Sequence, residues 1–181
     1  MIGYSLAFTV GGITFIAFLI IAFLKKYRLS KKILIGTWII YHTLVVAVTF
    51  FPLILDSTLI SPSPVELMPL HTTWLFISCW WRGLISWQYM TVQIFGNILM
   101  TIPFGIMLPF LYKDKIKTFY ISMALLFPLL IEWFQLLLGI LTKTMYRTFD
   151  VDDILLNFLG VIIGYGIYCL MPKKIKKFFR T

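Results

Sequence analysis

Long apolar runs divided by short polar ones set the plan of this chain. A helix needs about 20 largely apolar residues to cross a bilayer. Five stretches meet that length: 3–24, 33–55, 90–112, 118–142 and 154–171. The first carries no charge, and the second holds a single histidine, His42. The third runs on through Asn97, Pro103 and Pro109, and the fourth contains Glu132. The fifth opens directly behind a burst of charge formed by Arg147, Asp150, Asp152 and Asp153. The pattern predicts an all-α membrane protein: five transmembrane helices in a single membrane domain over 1–181.

The stretch 56–89 departs from this rhythm. It opens as "DSTLISPSPVELMPLH", rich in turn residues and extended by its prolines. It continues as "TTWLFISCWWRGLISWQ", where Trp74, Trp80, Trp81 and Trp87 stand close together. Arg82 and Gly83 interrupt it too early for a crossing, and tryptophan favours the membrane–water interface. The expectation is a helix lying in the outer interface, or dipping in and returning, between spans two and three.

Charge orients the bundle. The connections 25–32 and 113–117 and the tail 172–181 hold five, three and five basic residues, thirteen of the sixteen in the chain. Short connections rich in Lys and Arg stay cytoplasmic, so the N-terminus is expected outside and the C-terminus inside. Arg82, Lys143 and Arg147 then lie outside, together with Asp56, Glu66, Asp150, Asp152 and Asp153. The first apolar run lacks a basic n-region and a small-residue cleavage pattern, so it reads as a span and not as a signal peptide.

Composition agrees. The chain is 60% hydrophobic and 13% charged, against about 45–50% and about 25% for soluble domains. The net charge of +9 sits in the short connections and tail, where topology explains it, so no nucleic-acid partner is expected. Cys79 and Cys169 fall at opposite faces and are not expected to bridge.

Polar side chains inside spans are costly and tend to have a task. At about 1.5 Å per residue, Asn97 and Glu132 both lie about 10 Å below the outer boundary, and Asn157 about 5 Å below it. Gln93 and Asn97 share a helix face, as do Glu132 and Gln135. Asp150, Asp153 and Asn157 form one stripe if the last helix starts early. These groups read as the lining of an outward-facing polar cavity with the charges at its rim, where Arg147 can reach Glu132, an aspartate or an anionic ligand. Plainer roles stand beside this one. Asn97 and Asn157 can simply tie helices together. Asp152 can cap a helix. Gly160-x-x-x-Gly164 can be a close-packing face, including one for a second copy in a homo-oligomer. His42 reads as a hydrogen-bonded histidine. No zinc triad or nucleophilic triad is visible. Oxygens of Glu132, Asp150 and Asp153 suit a hard cation, but their spacing does not assert one. Neither a metal nor a cofactor is expected.

Four stretches carry a resemblance: "ELMPLHT" (66–72), "NILMTIPFGIMLPFL" (97–111), "LLIEWFQLLL" (129–138) and "RTFDVDDILLNFLGVIIGY" (147–165). Together they resemble the VanZ-like family of small bacterial membrane proteins over about 66–170, although Leu70 stands where phenylalanine is common. The family is named for a protein that raises teicoplanin resistance. The resemblance implies a bacterial plasma-membrane location, a part in glycopeptide or lipoglycopeptide resistance, and Asn97, Glu132, Gln135, Arg147, Asp150, Asp153 and Asn157 as its polar residues. The leading expectation is non-enzymatic binding of an amphiphile, either a lipid-linked cell-wall precursor, another membrane lipid or the acyl chain of a lipoglycopeptide. The alternative is an intramembrane enzyme modifying a lipid or lipid-linked precursor, with Glu132 or Asp153 as acid or base. An assembly partner is a third reading.

Overall fold

The structure, a computed structural model, describes residues 3–51, 65–142 and 148–180. Five of its helices are long and apolar enough to cross a membrane: α1 (Ser5–Leu24), α2 (Leu29–Phe50), α4 (Trp87–Leu111), α5 (Lys117–Thr142) and α6 (Val151–Leu170). A shorter helix, α3 (His71–Trp81), precedes α4, and α7 (Lys173–Arg180) ends the chain. Two short strands, β1 (Val65–Glu66) and β2 (Phe149–Asp150), pair in parallel with Val65 opposite Phe149 and Glu66 opposite Asp150. Helices dominate because backbone polar groups in an apolar medium must be satisfied within the segment.

Caps move two boundaries. Ser86 accepts from the Tyr89 N–H at 3.2 Å and starts α4 at Trp87. That tryptophan therefore belongs to a long helix and not to the interfacial segment. Asp150 caps α6, which begins at Val151, three residues earlier than the apolar run alone suggests. Gly83, at φ +71°, closes α3: its N–H donates to the Trp80 carbonyl, and the Leu84 N–H donates to Cys79. That is a Schellman ending, which a left-handed glycine permits.

The bundle is organised around α4 and α6. A Cβ on Gly160 would stand 2.2 Å from the Ile98 carbonyl oxygen, and one on Gly164 would stand 2.1 Å from that of Ile102. The register advances together along both chains, so the two helices run parallel with their backbones nearly touching. Gly105 completes the seam from the α4 side, against the Val161 carbonyl. Gly160 and Gly164 of α6 are thus consumed inside the chain. These two glycines, read as a close-packing face, pack against α4 of the same chain.

Around this seam lies the core, formed by Tyr41 and Val45 of α2, Phe104 and Leu108 of α4, Tyr120, Ala124 and Ile131 of α5, and Val161 of α6. Phe104 and Phe127 stack with ring centroids 3.9 Å apart. His42 stands among these rings with its Nδ1 2.9 Å from the Trp38 carbonyl oxygen, as a hydrogen-bonded histidine should. Cys79 and Cys169 lie unbridged on α3 and α6. At one end of the bundle the chain gathers carboxylates, and at the other it gathers lysines.

Gly164→Ala is expected to destabilise the protein by about 1–3 kcal/mol through overpacking. Gly166→Ala, whose Cβ meets nothing within 4 Å, should be neutral or stabilising by up to about 1 kcal/mol. Thermal unfolding of the detergent-solubilised variants, followed by tryptophan fluorescence, reads both.

Candidate functional site

The first turn of α6 collects most of the buried charge. Asp150 turns its carboxylate onto the Asp152 N–H at 2.8 Å and so satisfies one orphan donor at the helix start. Its own N–H donates to Oε2 of Glu132 at 3.2 Å. Glu132 is 1% exposed on the inner face of α5. A carboxylate so placed must be hydrogen-bonded, and the chain at 148–150 descends into the bundle to meet it. Asp150 is consequently buried and not at an open rim.

Asp152, also 1% exposed, caps a helix other than its own. It accepts from the Leu70 N–H with one oxygen and from the Thr73 N–H at 2.8 Å with the other. The N-terminus of α3 is thus fastened to the N-terminus of α6. Leu70 sits at φ +65°, a left-handed conformation costing about 1–2 kcal/mol for an L-residue, which the charge-assisted bond to Asp152 offsets. The β1–β2 pairing lies beside this contact. Glu66 accepts from the Met68 N–H and meets His71 Nδ1 at 3.0 Å.

Asp153, one residue further, accepts from the Asn97 side-chain amide. Thr101, a turn below Asn97, donates to the Asn157 carbonyl at 2.7 Å. Among the described residues, the side-chain amide of Asn157 is the buried group with neither its nitrogen nor its oxygen partnered. An unmet buried amide costs about 1–3 kcal/mol, and such groups call for a structural or functional reason.

The predicted residues therefore divide. Asn97, Glu132, Asp150 and Asp153 meet at the start of α6, and Asn157 lies one turn beyond Asp153 on the same stripe. Gln135 faces away and donates to the Thr49 carbonyl at 3.2 Å, tying α5 to α2. Arg147 lies outside the described residues. Sequence reasoning left Asp152, Glu66, His71 and Thr101 out of the group. Asp152 reads locally as a cap for α6, while its real partners are 82 and 79 residues away. Among the described residues, no three His, Cys, Asp or Glu side chains stand together as metal ligands.

Burial raises the Asp150 carboxyl above its ordinary value, while the Met68 N–H lowers that of Glu66. For Asp150 the sign is clear. Its protonated form is favoured in the folded protein, so that contribution is full below the ordinary carboxylate range and is lost as pH rises through the raised value. Asp150→Asn stays neutral. Its stability advantage over the parent should grow as pH increases from about 4 to 7, read from unfolding midpoints across that range. Asn97→Leu removes the donor to Asp153 and is expected to cost about 1.5–3 kcal/mol in the same assay.

No curated protein and no solved structure matches this chain. A family match does exist, to VanZ/LLP1 over residues 38–172, from the second half of α2 to the end of α6. It encloses the start of α6, its partners on α4 and α5, and the helix that Asp152 caps. With most of its length matched, this membrane protein belongs to the VanZ/LLP1 family.

Proposed function

We propose that the protein binds an amphiphile at the outer face of a bacterial plasma membrane and thereby contributes to resistance against teicoplanin-type lipoglycopeptides. The ligand would be a lipid-linked cell-wall precursor or the acylated drug itself. The observation that carries this reading is the cluster of buried Glu132, Asp150 and Asn157 with half-buried Asp153 at the start of α6, where Asp152 fastens a tryptophan-rich helix. On α3, Trp74 is 68% exposed and Trp81 82%, which suits an amphipathic element in the headgroup region. The lysine-rich connections at the other end support an orientation with the acidic end outside. A polar headgroup would engage the acidic turn and its phosphate would pair with Arg147, while acyl chains lie along α3. The family name supports the resistance role.

In this reading α3 is both lid and membrane contact. Its hold on Asp152 links ligand entry to the start of α6. Glu132→Ala and Arg147→Ala, expressed at parental levels, are expected to lower both lipoglycopeptide resistance and retention of lipid through purification. If both variants keep full resistance and full lipid, the proposal fails. A new lipid species in expressing cells that Glu132→Gln abolishes would instead assign Glu132 a role in chemistry.

A further inference from the structure

The lysine end of the bundle carries an apolar slot that the acidic site does not explain. Helices α4 and α6 touch along their glycine seam, whereas α5 packs on them through larger side chains and leaves a gap near its first turns. The gap holds a cavity of about 220 Å³. Leu108, Ala124, Val161 and Tyr165 wall it, and Tyr120 and Tyr165, stacked on each other at 5.3 Å, form one side. Tyr120 turns its hydroxyl away, donating to the Tyr112 carbonyl at 2.7 Å. What faces the cavity is therefore hydrocarbon and ring surface.

One charged residue lines this slot: Lys117, the exposed first residue of α5. Lys115 precedes it in the same connection. At the end of α6, Lys176 lies 5.0 Å over the ring of Tyr168, which stacks on Tyr165. The lining includes no acidic residue. A helix, about 10 Å across, cannot enter a gap of this volume, while a single chain of methylenes can. A slot that is apolar within and cationic at its mouth matches one acyl chain beneath a phosphate.

We propose that this slot is a binding site for an anionic phospholipid from the leaflet at the lysine end of the bundle, with one acyl chain between α4, α5 and α6 and the phosphate at Lys117. Filling it would supply the contacts that a gap beside α5 otherwise forfeits. The site is distinct from the acidic turn. It requires neither the proposed ligand there nor its role in resistance.

The test uses the full chain, delipidated in mild detergent and titrated with phosphatidylglycerol or phosphatidylcholine, with bound lipid counted by native mass spectrometry. Phosphatidylglycerol should bind preferentially. Lys117→Gln should bind it about fivefold more weakly, the loss expected for one lysine at an anionic lipid surface. Ile162→Trp, which fills the slot, should remove the bound lipid, and Lys25→Gln, at the same end but outside the slot, should leave it unchanged. Should the slot variants fold poorly, phosphatidylglycerol with a photoreactive acyl chain is applied to the unmodified protein. Labels should fall on Ile121, Ile162 or Tyr165. Equal binding of the two lipids, undiminished binding in both slot variants, or labels that avoid α5 and α6 would overturn the proposal.

Discussion

Asp152 carries an ionisable group into a bundle of apolar helices, and its two oxygens take the backbone N–H groups of Leu70 and Thr73. Desolvating a carboxylate is costly unless donors replace the lost water. Here the donors are the orphan N–H groups that a helix start leaves over. Each side satisfies what the other lacks. The start of α6 and the start of α3 become one unit, and the β1–β2 pairing and the Glu66–His71 contact follow from that closeness. Asp150 and Asp153, on either side, extend the same turn to Glu132 on α5 and Asn97 on α4. Four helices are thus referred to a single turn of chain.

That turn can lie so deep because α4 and α6 approach so closely. Gly160 and Gly164 let the α6 backbone rest on Ile98 and Ile102 of α4, which brings Asn97 within reach of Asp153. Side chains at the glycine positions would hold the helices apart and separate those partners. The small-residue seam and the acidic turn are therefore parts of one arrangement. By contrast, α1 packs against α2 and lies outside the VanZ/LLP1 match. It adds a span without entering the polar cluster.

Much of this was legible in the sequence, for physical reasons that also mark the limit. Five apolar runs became five long helices, since hydropathy over about 20 residues is a strong signal. The depths of Asn97 and Glu132 pointed to a shared level, because rise per residue is fixed. Arg82 and Gly83 interrupted the tryptophan-rich stretch, and α3 stops at Trp81 just before them. The partner of a carboxylate is another matter. Asp152 sits where a cap for α6 belongs, and only the tertiary fold reveals that Asp150 fills that role and frees Asp152 for α3. Gln135 stands three residues beyond Glu132 on α5, yet its amide turns to the Thr49 carbonyl of α2 instead of the acidic turn. The glycines on α6 announced close packing without saying whether the neighbour was α4 or a second copy.

The central claim is that Asp152 holds α3 onto the bundle. Hydrogen–deuterium exchange of the solubilised protein and of Asp152→Ala tests it directly, followed at the amides of 70–76 and, for reference, at those of α4 and α6. The account predicts that protection falls at 70–76 in the variant while the α4–α6 seam stays protected. Unchanged protection at 70–76 would contradict it, because α3 would then be held by something other than Asp152.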